Sequence, residues 1–145
     1  MLVRNQGFLP TSCCGVAMVK FREFILESGR KIFGGRDAES NDELVYLAGA
    51  GDVLLHTAEP GSPFVNVGVG ASKSEISEAA VFCARYSQDW RDSKRDVIVN
   101  KFLRGDMNKE KRMKAGMWGV KKQERIRVKA VDILAFEREV IGDRK

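Results

Sequence analysis

One histidine, His56, stands in this chain, with two aspartates, Asp37 and Asp52, not far before it. A histidine titrates near neutral pH, so beside a carboxylate it is the natural proton carrier for hydrolysis or RNA modification. The spacing does not supply such a pair. Asp52 and His56 flank Val53-Leu54-Leu55, which reads as a short buried strand. Four residues apart on a strand, they share a face but lie roughly 13 Å apart along it. There is no nucleophile motif, second histidine or cofactor fingerprint. Cys13 and Cys14 are adjacent and Cys83 sits in a helical stretch, so no metal-ligand spacing arises. No catalytic residue, metal or cofactor is therefore expected. An enzyme using His56 as acid or base with Asp37 or Asp52 is the alternative.

The second chemistry is that of fixed charge. The chain has 145 residues and a net charge of +5, yet residues 91 to 129 contain 14 Lys/Arg against 5 Asp/Glu, a net of +9, which leaves −4 for the remainder. Such asymmetry fits a polyanion on the basic side, although a solvated face of mixed charge looks the same in sequence. Arg125, Arg127 and Lys129 alternate with Ile126, Val128 and Ala130. On a strand this places three cations on one face, either toward phosphates or as an edge that deters aggregation. The other candidate phosphate contacts are Lys94, Arg95, Lys101 and Lys109, then Lys111, Arg112 and Lys114, then Lys121 and Lys122. Trp118 lies among them and can stack on an unpaired base or pack in the core, the latter being the commoner role. Residues 67 to 72 are glycine-rich and lead into a helix, but lack a P-loop's Lys-Ser/Thr and a third fingerprint glycine, so a tight strand-to-helix turn is the expectation.

The elements that must position these groups follow from patterning. Residues 21–26 and 30–33 read as a hairpin about Glu27-Ser28-Gly29. Gly34-Gly35 closes an apolar run at a sharp turn, and Asp37 caps a helix over residues 38–48 that stops at Gly49. Asn41 lies on that helix's inner face and needs hydrogen-bond partners in a neighbouring loop. The strand ending at His56 is followed by a Pro60-Gly61-Ser62-Pro63 turn and a strand over 64–69. Ser72 and Glu75 form a capping box for a helix running to about Asp89. Residues 96–103 alternate as a strand, with Val97, Val99 and Lys101 on one face. Residues 104–116 are a basic connection. Residues 117–120 and 125–131 read as a closing hairpin, and 131–140 ends as a short helix. Residues 1–17 show no periodicity and are expected to be a loose tail before one domain over 18–145.

Three of these stretches also carry a resemblance. Gly35-Arg36-Asp37-Ala38 with Asn41, then Gly51-Asp52-Val53-Leu54-Leu55-His56, then Pro60-Gly61-Ser62, resembles the NFACT-R domain, the presumed RNA-binding module of the ribosome quality-control, fibronectin-binding-like NFACT proteins. The resemblance runs from about residue 20 to 132 and implies a free-standing copy of that domain. It also implies that Arg36, Asp37, Asn41, His56 and Ser62 form a cluster that matters, either by touching RNA or by holding loops in place.

The expectation is a single α+β domain, mainly an antiparallel sheet with two helices. Its expected role is non-enzymatic binding of tRNA or ribosomal RNA in translation or ribosome quality control, with the ribosome or RNA-processing proteins as further partners. A protein-interaction module is a third reading. No apolar run approaches the roughly 18 residues of a membrane span. The cysteine usage suits a reducing cytoplasm.

Overall fold

A computed structural model describes residues 21–109, 113–115 and 117–141. The tail expected over 1–17 lies outside the described residues, as do Lys111 and Arg112.

Among the described residues eight strands and four α-helices follow one another. β1 (Arg22–Ile25) and β2 (Lys31–Gly34) form the expected hairpin. α1 (Ala38–Leu47), β3 (Val53–Thr57), β4 (Val65–Gly68) and α2 (Lys73–Arg85) come next. Then follow α3 (Gln88–Ser93), β5 (Val97–Leu103), a 3-10 turn (Arg104–Asp106), β6 (Met107–Asn108) and β7 (Gly119–Val120). β8 (Glu124–Val128) and α4 (Ala130–Phe136) close the order, and α4 runs on into a π-helical turn (Glu137–Ile141). Six strands make one sheet in the order β1-β2-β4-β3-β5-β8, antiparallel throughout, and β6 pairs with β7 apart from it. The architecture is thus α+β and mainly antiparallel, with α4 standing where the short closing helix was expected and α3 added. No described helix is long and apolar enough to cross a membrane.

The two faces of the sheet are covered unequally, and this makes the site. Strand alternation sends Ile32, Val65, Val67, Leu55, Val97, Val99 and Val128 to one face. There α2 lays Ile76, Ala79, Ala80 and Cys83, and α4 adds Ile133 and Phe136. The small side chains of α2 let it approach closely, and the complete cover makes this the main core. The other face carries Leu54, Phe64 and Phe102 under Leu44 and Val45 of α1, with Met107, Val120 and Trp118 from the β6–β7 arm. That cover stops short of the β3-β5-β8 edge, where Arg125 and Arg127 are exposed and His56, Ile98 and Asn100 half-buried.

α1 ends at Leu47 with Ala48, in extended conformation, as its cap, just before Gly49 as expected. Three sequence expectations need correction. α2 ends at Arg85 rather than near Asp89, because the buried Ser87 is a cap: its Oγ accepts the Trp90 N–H at 3.1 Å and starts α3. The closing hairpin does not form. β7 pairs with β6, and β8 pairs with β5. Lys129 is not part of the cationic strand either, because β8 stops at Val128 and Lys129 becomes the N-cap residue of α4, where Asp96 Oδ1 accepts the Ala130 N–H.

Candidate nucleic-acid interface

The loop between β2 and α1 is built around two close approaches. A Cβ placed on Gly35 would lie 1.9 Å from Asn41 Oδ1, so only glycine fits there. The need is therefore for space beside Asn41 rather than for a special turn conformation. Asn41 uses that space to join helix to sheet: its Oδ1 accepts the Phe64 N–H at 3.0 Å and its Nδ2 donates to the Ser62 carbonyl at 3.4 Å. Asp37 Oδ1 accepts the Ser40 N–H at 2.8 Å, and Ser40 Oγ in turn accepts the Asp37 N–H at 3.0 Å. Hydrogen bonds to the carboxyl, that of the Ser40 N–H foremost, hold Asp37 below its ordinary pKa.

The Pro60–Pro63 turn is fastened in the same way. Ser62 is buried, accepts the Thr57 N–H at 3.0 Å and donates to the Pro63 carbonyl at 3.1 Å. Gly61 has φ of +89° and its carbonyl accepts the Gln88 N–H, which seats the turn on the start of α3.

His56 is half-buried, with its ring 4.5 Å from that of Phe64. Its Nδ1 lies 2.7 Å from the Thr57 carbonyl oxygen. A carbonyl only accepts, so Nδ1 carries the proton of the neutral ring and Nε2 is left as an acceptor. Burial pushes the His56 pKa below its ordinary value, and the Thr57 bond opposes this only in part. Neither aspartate pairs with it: Asp37 caps α1, and Asp52 Oδ2 accepts from Asn66 and from the Gly49 N–H.

These loops enclose an open cleft of about 610 Å³, and all five residues of the expected cluster line it. Asp37, Asn41 and Ser62 have side chains engaged in holding loops, whereas Arg36 is exposed and His56 faces the cleft. The opposite wall brings in Met117, Trp118, Val120 and Gln123. Trp118 donates its indole N–H to Asp42 at 2.9 Å and packs edge-on against Tyr46, so it is part of the smaller core as well as the wall. Lys109 is likewise a strut, bonding Asp42 and the carbonyls of Lys114 and Met117.

The remaining cations divide by place. Arg125 sits opposite Asn100, and Asn100 opposite His56, in one row across β8, β5 and β3, so Arg125 stands about 10 Å from His56 along the open face. Arg127 is one row further, with Asp96 at 3.8 Å. Lys121 and Lys122 are exposed between Val120 and Gln123, and Lys114 is exposed beside Ala115, on the rim. Lys101 is on the other face, ion-paired with Glu124 at 3.1 Å. Lys94, lying over Trp90, and Arg95 line a second depression with Asp96, which meets the cleft only at Pro60.

Three groups of the cleft were not singled out from sequence: Arg22, Arg91 and Asn100. Asn100 was legible, since alternation in β5 puts Ile98, Asn100 and Phe102 on the face opposite Val97 and Val99. Arg22 and Arg91 gave no local signal, because β1 and α3 meet at the cleft only through the tertiary fold.

A family model described as the NFACT protein RNA binding domain matches residues 20–122. The chain belongs to this family. The match contains the cleft's loops and floor and stops just before β8. Membership in the NFACT RNA-binding family supports RNA as the class of partner. No curated protein matches the chain. Among solved structures, the C-terminal part of the fibronectin/fibrinogen-binding protein from Streptococcus suis is similar, with a TM-score of 0.70 and 23% identity over 79% of this chain. The NFACT domain described here spans 47% of that chain. The likeness carries the fold.

Proposed function

We propose that this NFACT domain is a non-enzymatic RNA-binding module that takes tRNA or ribosomal RNA in translation or ribosome quality control, in the cytoplasm and in company with the ribosome or RNA-processing proteins. The observation that carries the reading is the open sheet face. There a concave, partly apolar floor adjoins guanidinium groups without carboxylate partners among the described residues. Arg36 and Arg125 have none among the described residues. Cations arranged in this way contact phosphates and set register without reading sequence. The non-enzymatic part of the reading is supported by Asp37 and Asp52, which hold loops rather than pair with His56.

The test is a titration of the protein against tRNA, a ribosomal RNA fragment and duplex DNA at two salt concentrations. Salt-sensitive binding that favours one RNA is expected. Absence of binding to every one of them at low salt would overturn the reading.

A further inference from the structure

The cleft has two unlike ends. At one end Arg22, Arg36 and Arg91 come from β1, the β2–α1 loop and α3. Arg22 donates to the Gly35 carbonyl at 2.9 Å and lies over the Tyr86 ring, 4.4 Å from its centre. Arg91 reaches the Tyr86 carbonyl and Gln88. No carboxylate pairs with any of the three among the described residues. Burial, reinforced by the charges of Arg36, Arg91 and Arg85, lowers the pKa of Arg22, with nearby Tyr86 acting in the opposite sense. A guanidinium keeps its proton regardless, so this end of the cleft stays cationic.

At the other end the floor is made of rings and an amide. Phe64 and Phe102 are buried beneath it, and His56 and Asn100 stand on it directly opposite one another. Asn100 Oδ1 is buried and has no hydrogen-bond partner among the described residues. A buried acceptor left unpaired is costly, and turning the amide about its last torsion would leave a donor unpaired instead. His56 Nε2 is a second acceptor without a partner among the described residues. The facing wall is mostly apolar, with Met117, Trp118 and Val120 beside Gln123, and the Trp118 N–H is engaged by Asp42, so the indole offers carbon surface.

We infer that this cleft receives one unpaired nucleotide of an RNA, its phosphate on Arg22, Arg36 and Arg91 and its base on the floor beside His56 and Asn100. The inference rests on the RNA-binding reading above and makes it specific. A volume of about 610 Å³ lies within the range of small-ligand sites and cannot admit a duplex. Bases splayed from single strands are held by ring contacts and by hydrogen bonds from their edges, for which the floor offers two unmet acceptors, Asn100 Oδ1 and His56 Nε2. Arg125 and Arg127 lie outside the cleft, where the adjoining strand would pass.

The experiment compares an RNA hairpin with a blunt end and the same hairpin with a short single-stranded overhang, at one salt concentration. The overhang is expected to bind about tenfold more tightly, and the preference to vanish in the double variant Arg36→Gln, Arg91→Gln, both exposed side chains. In a second arm on the unaltered protein, nucleoside monophosphates are followed by NMR. They should move resonances of His56 and Asn100, whereas inorganic phosphate should move only those of the arginine end. Equal binding of the two hairpins, or a preference that survives in the double variant, would overturn the inference while leaving the RNA reading intact. Inorganic phosphate reproducing every shift would also overturn it. Failure of both hairpins to bind at low salt would overturn both.

Discussion

Asn41 Oδ1 accepts the backbone N–H of Phe64 at 3.0 Å, across a separation of 23 residues. Through this bond α1, which caps the smaller core, fixes the strand start beside His56. Replacing Asn41 by Ala leaves the Phe64 N–H buried and unpaired. The expected loss is about 1–3 kcal/mol of stability, read from denaturant unfolding.

Gly35 tests the same joint from the other side. Its added Cβ would meet Asn41 Oδ1 at 1.9 Å and Asn41 Cγ at 2.8 Å. Gly35→Ala should therefore destabilise by about 1–3 kcal/mol or more, as overpacking does. The Asn41→Ala change removes both of those atoms, so the double variant should be more stable than the sum of the single effects predicts. Simple additivity in a double-mutant cycle would show that the two residues do not share the joint.

The pH dependence should have two separate windows. His56 binds its proton more weakly folded than at its ordinary 6.5. The unfolded chain then holds more protons, and stability falls as pH drops below about 6.5 toward the lower folded value. Glu75 accepts from Ser28 and the Ser72 N–H and pairs with Arg30, and it is lowered from 4.5 to about 2. Its contribution is fully present above 4.5 and is lost as pH falls toward 2. His56→Gln should flatten the first window and Glu75→Gln the second, in melting temperatures measured across pH. Loss of the upper window in the Glu75 variant would contradict the assignment.

The β6–β7 arm should be held by Asp42, which accepts from both Trp118 and Lys109. Asp42→Ala should shift the Trp118 indole N–H resonance and speed its hydrogen exchange, while α2 and α4 on the far face keep their protection. Equal loosening of both faces would indicate that the arm is not a separate unit.

What was legible in sequence was what is local. Asp37, Ser72 and Glu75 announced their helices because a cap needs only residues three apart. The GRDA-x-x-N, strand and turn motifs found the cleft's frame, because Asp37, Asn41, Asp52 and Ser62 hold loops close to them in space. Asn41 was correctly read as a tie to a neighbouring loop, since a polar side chain on an inner helical face has to find a partner. The failures are non-local. Ser87 falls inside the helix expected to run to about Asp89, and only the following Trp90 N–H reveals it as a cap. β7 has the alternation of a hairpin arm beside β8, but pairing with β6 across the basic connection cannot be seen in either segment alone. The arginine end of the cleft combines β1 with α3, more than sixty positions apart, a meeting that no spacing rule encodes.

The central claim is that RNA lies on the open face of the sheet, and the most direct measurement is the salt dependence of RNA affinity in variants of opposite faces. Arg125→Gln and Arg127→Gln should each weaken binding and reduce the slope of log affinity against log salt by about 1. Lys101→Gln, which removes a cation of the same basic segment from the other face, should leave the slope unchanged. A slope that falls equally in all three would contradict the account, since binding would then follow net charge rather than the face that carries the cleft.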